Sequence, residues 1–107
     1  MARVLDLTSD IPATPVAPDT VLDGTPTAGS RSLSAVSGAE VGVWEITPGT
    51  VTDVEVDEVF VVLSGSGSVT FEDGERIDLA PGVAVRLAAG DRTTWVIRET
   101  LRKVYVA

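Results

Sequence analysis

The sequence contains no cysteine and no histidine. Without cysteine there is no disulfide, no thiolate metal site and no cysteine nucleophile. Without histidine, the commonest metal ligand and the usual general base near neutral pH are both missing. A Ser-His-Asp catalytic triad is therefore excluded, and any acid–base or ligand-binding chemistry falls to carboxylates, lysine or tyrosine.

Basic residues are also few: 8 Lys and Arg stand against 16 Asp and Glu, which gives a formal net charge of -8. This charge repels phosphate backbones and favours solubility, so no nucleic-acid partner is expected. The amino-terminal residues MARVLDLTSDIP contain no long apolar run. We therefore expect neither a signal peptide nor a membrane partner, and a cytoplasmic location.

Segments of helical periodicity are absent, and short strand patterns alternate with turn signals along the chain. About eight to ten strands at spacings of roughly 8 to 12 residues are typical of an all-β sandwich or barrel. Four of the six prolines fall between residues 11 and 27, and this spacing excludes a regular helix. We interpret residues 1–29 as an extended arm packed on a barrel formed by residues 30–107. Val4 to Leu7 is predicted as a short edge strand, and the arm's predicted apolar contacts are Val16, Val21 and Leu22.

The densest strand signals lie between Asp57 and Gly74. Val59 to Leu63 is apolar on both parities, which predicts a strand covered on both sides. The glycines of Ser64 to Gly67 predict a turn, and Ser68 to Phe71 is predicted as the returning strand. The next hairpin turn is predicted at Glu72 to Glu75, because it contains Asp-Gly.

Further turn signals divide the rest of the chain. Pro48-Gly49 matches a type II turn, in which the third residue needs a positive φ. Pro81-Gly82 and Ala88 to Asp91 predict two more turns. The last two strands are predicted at Thr93 to Arg98 and Leu101 to Val106.

Asp53, Glu55 and Asp57 occupy alternate positions of one predicted strand and therefore share one face of it. Glu58 falls on the opposite face unless a bulge intervenes. If Glu58 points inward, the other three point outward. Their ordinary role is then a solvated acidic edge that discourages strand-on-strand aggregation. The alternative is an oxygen-ligated calcium or magnesium site.

Two spacings resemble the sequence motifs of the cupin superfamily. Glu58, six residues and Gly65 match the second half of the first cupin motif. Pro81-Gly82, the strand Val83 to Leu87 and the turn Ala88-Ala89-Gly90 match the second motif, with alanine in place of its second proline.

The segments GVWEITPG and GDRTTWVIRETLRKVYV resemble the small single-domain cupins grouped with ureidoglycine aminohydrolase. The resemblance covers about Leu22 to Val106. It implies a small antiparallel double-stranded β-helix, the cupin or jelly-roll barrel.

The sequence departs from metal-binding cupins at the metal ligands, which are three histidines and the motif glutamate. Two alignments of the missing histidine pair stay open. If three residues separate Glu58 from the nearer histidine position, the pair falls on Val54 and Thr52. If four residues separate them, the pair falls on Asp53 and Val51. The third histidine position falls on Thr93. Because a first-row metal needs three or four convergent donors, we expect neither a metal nor another cofactor.

The resemblance implies that Glu58 faces the barrel interior, together with Phe60 on the same strand and Thr93 and Trp95 on the strand after Gly90. A carboxylate among apolar residues needs a partner, and Lys103 or Arg86 is the natural one. For Glu58 a purely structural ion pair is the alternative to a ligand-facing role, and for the aromatic residues the alternative is the core. The candidate pocket residues are Trp44, Glu58, Phe60, Arg86, Thr93, Trp95, Lys103 and Tyr105.

Three functions are compatible with these residues. The first is a metal-free or metal-depleted barrel that binds a small polar or carboxylated metabolite, with Arg86 or Lys103 contacting the anion. The second is an enzyme of the aminohydrolase-like group that uses Glu58 for proton transfer. The third is a non-catalytic structural module, in which Val59, Val61 and Leu63 pair two barrels. A homodimer is expected under all three.

Overall fold

The computed structural model describes residues 3–107, and nearly all of its regular structure is β-strand. The predicted edge strand at Val4 to Leu7 is wrong, because these residues form no strand. One short 3-10 helix, Pro18–Thr20, lies in the arm. Within residues 3–107 no helix is long and apolar enough to cross a membrane. The strands are β1 (Thr14–Pro15), β2 (Val21–Asp23), β3 (Thr27–Val36), β4 (Ala39–Ile46), β5 (Gly49–Val54), β6 (Glu58–Phe71), β7 (Arg76–Leu79), β8 (Ala84–Leu87) and β9 (Arg92–Val106).

The strands form one curled antiparallel sheet in which β9 is the central element. Its second half pairs with β4 on one side, through contacts such as Trp44 with Lys103. Its first half pairs with β5, and its whole length pairs with β6. Two shorter strands, β7 and β8, complete the other edge of β6. Because successive side chains of a strand point to opposite faces of the sheet, alternate side chains point inward and form one core.

The two longest strands correct the sequence prediction. Ser64 to Gly67 does not reverse the chain, since β6 continues through it, and β9 likewise runs without a break through the predicted gap before Leu101. Three register irregularities lie between Val62 and Gly67, where β6 bends against β9. Gly65 has a φ of 91°, and a Cβ there would lie 2.1 Å from the carbonyl oxygen of Thr100. The glycines therefore permit a bulge and a close strand crossing, as glycine does inside strands.

The other turn predictions have mixed outcomes. The Asp-Gly hairpin between β6 and β7 is confirmed: Gly74 has a φ of 94° and its amide donates to the carbonyl of Phe71 at 2.9 Å. The turn at Pro81-Gly82 is confirmed between β7 and β8. The type II turn at Pro48-Gly49 is wrong, because Gly49 already begins β5 with a φ of 154°.

The core lies inside the curl of the sheet. Phe60 and Val62 contribute from β6, and Trp95 and Ile97 from β9. Full burial of such a side chain contributes about 1.5–3 kcal/mol each. The remaining buried members of the cluster are Ile46, Val51, Val69, Leu79, Val85, Leu87, Leu101 and Tyr105.

The arm is fastened to the barrel by strand pairing and by apolar contacts. The strand β1 pairs with β3, and β2 pairs with β5. Val16 and Val21 pack against the core as predicted, whereas Leu22 is 64% exposed and the prediction for it is wrong. Farther toward the amino terminus, Arg31 donates to the carbonyl of Asp10 at 2.8 Å. The arm therefore lies on the mouth and side of the barrel.

Candidate functional site

A cavity of about 550 Å³ lies between the arm and one end of the barrel. Its floor is made by inward-facing residues of β9, and its outer wall by the arm. The lining residues from the arm are Thr14, Pro15, Val16 and Thr20. The lining residues from β3 and the later elements are Ala28, Ser30, Trp44, Ile46, Val51, Thr52, Asp53, Val54, Glu55, Val56, Glu58, Trp95, Lys103 and Tyr105.

A buried ion pair joins Lys103 to Glu58 on the floor of this cavity. The two side chains are 7% and 12% exposed, and their charged atoms lie 2.6 Å apart. Lys103 Nζ also lies over three aromatic rings, 4.7 Å from the centroid of Trp44, 4.4 Å from Phe60 and 5.1 Å from Trp95. The carboxylate and the rings together compensate the loss of hydration of the ammonium.

Glu55 is the second carboxylate of the site, and it is only 8% exposed. Its Oε2 accepts hydrogen bonds from Thr93 Oγ1 at 2.7 Å and from Trp95 Nε1 at 3.1 Å. Its Oε1 accepts no hydrogen bond from residues 3–107. Every fully buried side-chain nitrogen or oxygen in that part of the chain has a partner, so Oε1 is not enclosed and opens to the cavity that Glu55 lines.

The expectation that Glu55 points outward is wrong, and the reason is local. The strand β5 ends at Val54 and β6 begins at Glu58, so the alternation stops between them. The backbone of Glu55 instead pairs with the loop before β9: its amide donates to the carbonyl of Asp91 at 2.8 Å. Asp53 and Asp57 stay exposed, as expected.

Burial raises the pKa of Glu55 above its ordinary value of 4.5. Desolvation of the carboxylate is the largest cause, and the negative charge of Asp53 adds to it. The hydrogen bonds from Thr93 and Trp95 and the charge of Lys103 act in the opposite direction but do not cancel the effect of burial. Glu55 is therefore a carboxyl group whose proton affinity is increased at the cavity wall.

Tyr105 closes the far side of the site. Its hydroxyl donates to Glu40 Oε1 at 2.9 Å. Burial raises the pKa of Tyr105 to about 12, with a further increase from the hydrogen bond to Glu40. The hydroxyl therefore stays protonated near neutral pH and keeps its donor role.

Seven of the eight predicted site residues line the cavity or pack against residues that line it, and Arg86 does not. Trp44, Glu58, Trp95, Lys103 and Tyr105 all line the cavity. Phe60 is fully buried beneath Trp95 and Lys103, and Thr93 is buried against Glu55.

Arg86 lies elsewhere. It pairs on the outer surface with Asp57, at 3.3 Å, and its side chain is 58% exposed. The prediction that Arg86 lines the pocket with the other residues is therefore wrong. The signal was present in the sequence, since Val85 and Leu87 flank Arg86 and strand alternation puts it on the opposite face.

Sequence reasoning also missed Glu55, Glu40 and the arm residues of the cavity wall. Glu55 was considered only as a member of the acidic face. Its burial depends on where β5 ends and on its contact with the loop before β9, and neither is marked by a local residue pattern.

The residues present do not fit the metal that metal-binding cupins hold. Glu58 already faces the ammonium of Lys103, and the Thr93 hydroxyl bonds Glu55. Asp57 turns away to Arg86 and the Ala89 amide. In the described part of the chain, no three His, Cys, Asp or Glu side chains converge as a metal site would require.

Solved structures with the same fold include three of different origin. A protein of unknown function from Pseudomonas syringae pv. tomato superposes with a TM-score of 0.82 at 23% identity, over 95% of this chain and 46% of that chain. The EutQ protein of Clostridium difficile superposes with a TM-score of 0.63 at 16% identity, over 76% of this chain and 61% of that chain. Ectoine synthase from P. lautus superposes with a TM-score of 0.65 at 20% identity, over 86% of this chain and 66% of that chain.

These superpositions confirm the predicted all-β cupin barrel. The chain spans about half the length of the Pseudomonas protein. No curated protein sequence matches this chain. The model of the EutQ-like cupin domain matches residues 33–105, and the chain therefore belongs to the EutQ-like cupin family.

Proposed function

We propose that this protein is a binding module that holds one small polar molecule in the cavity between the arm and the barrel. The observation that carries the proposal is Glu55 Oε1, an acceptor without a partner among residues 3–107, in a residue that lines the cavity. A volume of about 550 Å³ is within the range of small-molecule sites. A few fixed polar groups among aromatic and aliphatic walls are the usual composition of such a site.

The charges of the site favour a ligand with hydrogen-bond donors over the carboxylated metabolite expected from the sequence. Arg86 lies outside the cavity, and the charge of Lys103 is neutralised by Glu58. A ligand carboxylate would therefore meet no unpaired cation among the lining residues of the described part of the chain, residues 3–107. An N–H or O–H group would instead find the open oxygen of Glu55.

The experiment is a thermal-shift screen of small polar metabolites, because a ligand that binds only the folded state raises the midpoint of unfolding. Ser30 lines the cavity, whereas Ser34 lies on the same strand outside it, and both are exposed. Ser30→Phe should remove the shift given by a hit, and Ser34→Phe should retain it. Equal shifts from both variants would place binding outside the cavity, and a screen without hits would contradict the proposal.

A catalytic function has one specific observation in its favour, namely the raised pKa of Glu55 at the cavity wall. General acid–base catalysis needs a group whose pKa lies near the working pH. For proton transfer Glu55 is better placed than Glu58, which is held in the ion pair with Lys103. Deuterium incorporation from D₂O into a bound ligand, lost in Glu55→Gln and retained in Glu58→Gln, would support this function. Loss only in Glu58→Gln would restore the role first assigned to Glu58.

An assembly function is also supported by one observation. Val59 and Val106 are register partners on the outer face of the barrel and are 45% and 44% exposed. Two such faces would bury apolar surface if they met in a homodimer. Membership in the ureidoglycine aminohydrolase-like group and a cytoplasmic location stay predictions from the sequence.

A further inference from the structure

We propose that the ligand of the cavity is a small organic cation, an ammonium or amidinium compound, for which Glu55 is the counter-ion. This inference rests on the proposed binding function and specifies the chemical class of the ligand. It follows from the charges that line the cavity and from the geometry of Glu55.

The charged lining of the cavity is predominantly negative. Asp53 comes from β5, Glu55 from the loop after it, and Glu58 from β6, whereas Lys103 of β9 is the one cation among the lining residues described. From residue 3 onward, the arm residues that line the wall are all uncharged. Lys103 forms its ion pair with Glu58, and neither Asp53 nor Glu55 forms an ion pair with a described lining residue.

Glu55 is held in a position that suits a counter-ion. Two donors fix its Oε2, so the carboxyl group is oriented before any ligand arrives. Its Oε1 opens to the cavity, and a charge-assisted hydrogen bond to a cation there is roughly twice as strong as one to a neutral donor. An anionic ligand would instead be repelled by both Glu55 and Asp53.

The raised proton affinity of Glu55 in the empty cavity also favours a cationic ligand. Because burial raises the pKa of this carboxyl group, ionising it in the empty cavity costs more free energy than ionising it in water. A cation at Oε1 stabilises the ionised form, whereas a neutral amide does not. Binding of the cation should therefore lower the pKa of Glu55 and release a proton when the pH lies below the raised pKa.

Acetamidinium, acetamide and acetate test this proposal, because they have the same shape and differ in charge. The chain has two tryptophans, and both line the cavity. The indole N–H of Trp95 bonds Glu55 directly, so its signal in a ¹H–¹⁵N spectrum reports on the site. At constant ionic strength, acetamidinium should shift this signal at a concentration about tenfold below that of acetamide, and acetate should give no shift.

Two variants identify the group responsible. Glu55→Gln keeps an acceptor for Thr93 and Trp95 but loses the charge, so the preference for acetamidinium should fall to within about twofold. Glu75→Gln removes the same charge from an exposed hairpin position and should keep the preference. Retention of the preference in Glu55→Gln would overturn the assignment of Glu55 as counter-ion.

The other outcomes separate this inference from the function on which it rests. If acetamide binds as tightly as acetamidinium, or acetate binds best, the cation proposal is false and the binding function stands. If none of the three shifts the Trp95 signal up to about 100 mM, a range suited to such small ligands, the cation proposal is also contradicted. In that case hits in the metabolite screen that depend on Ser30 would still support the binding function.

Discussion

Lys103 shows how one residue determines the character of the site. Its ammonium contacts Glu58 and three aromatic rings. The positive charge that we expected to contact an anionic ligand is therefore paired within the protein. The same ion pair gives the Glu58 carboxylate a cationic partner inside the barrel. The ion pair of the structural interpretation is present, and Glu58 also lines the cavity, whereas its contact with a ligand stays a prediction.

Lys103→Met should destabilise the protein by about 3 kcal/mol, because it leaves the Glu58 carboxylate buried without a cation while preserving the contacts with the rings. Adding Glu58→Gln should recover about half of that loss. Urea unfolding of the single and double variants measures both effects. Arg76→Met, which breaks an exposed ion pair with Asp78, should change the stability by less than about 0.5 kcal/mol. A Lys103→Met protein as stable as the wild type would show that the ion pair does not stabilise the fold.

The raised pKa of Glu55 predicts a pH dependence of stability with a definite sign. In the window from the ordinary value of 4.5 up to the raised value, the folded state binds more protons than the unfolded state. The free energy of unfolding therefore falls as the pH rises through this window and is level above it. Glu55→Gln should lack this decline.

Urea unfolding of both proteins at intervals between pH 4 and 8 measures the difference. Asp6 and Asp57 do not interfere, because hydrogen bonds lower the pKa of each, so their stabilising effect is lost only at a more acidic pH. A wild-type profile parallel to that of Glu55→Gln would contradict the raised pKa.

At the scale of the elements, the continuous strands β6 and β9 give the barrel its shape. Both were predicted as pairs of shorter strands, because glycine and polar residues interrupt their apolar patterns. In the structure these residues bend the strands without ending them. Because of the bend, a single strand can pair with different neighbours in its two halves, as β6 does with β8 and then with β7.

Gly65→Ala tests this bend, with Gly74→Ala as a matched control. Both glycines have a positive φ, of 91° and 94°, so both substitutions carry a backbone cost of about 1–2 kcal/mol. Only at Gly65 would the new Cβ collide, since it would lie 2.1 Å from the Thr100 carbonyl oxygen, whereas nothing lies within 4 Å at Gly74. Thermal unfolding should therefore show a much larger loss for Gly65→Ala. Equal losses would mean that β6 and β9 separate easily at this crossing.

At the scale of the whole molecule, the arm and the barrel form the cavity jointly. Neither the arm alone nor the barrel alone encloses it, because the outer wall comes from Thr14 to Thr20 and the floor from β9. The outer face at Val59 and Val106 lies apart from this cavity, so assembly and ligand binding can be tested separately.

In solution the protein should have a mass of about twice the 11.1 kDa of one chain, if the Val59 face forms the expected homodimer. Val59→Glu should convert it to the monomer mass, because a charge would be buried at the interface. Val96→Glu, at an exposed valine on the first half of β9, should leave the dimer intact. Light scattering measures these masses, and a wild-type monomer at the working concentration would exclude the dimer.

Local patterns determined much of the fold and part of the site. Alternation along β9 places Thr93 and Trp95 on one face, which the cupin resemblance puts inward, and both are buried. Asp73-Gly74 and Pro81-Gly82 marked two turns correctly, whereas the type II turn predicted at Pro48-Gly49 is wrong. These features depend on the period of a strand and on the conformations open to turn residues, both of which are properties of a few neighbouring residues.

Only the tertiary structure decided which side chains form the cavity. Glu55 faces inward because β5 ends one residue before it and its backbone pairs with Asp91, which is remote in sequence. The arm forms the outer wall of the cavity because its strands β1 and β2 pair with β3 and β5. Strand ends, register and the packing of an irregular arm depend on contacts between distant segments, and such contacts leave no periodic trace in the sequence. The sequence by itself therefore determined an all-β barrel with an inward face on β9, and the tertiary contacts decided that Glu55 is the open polar group of its site.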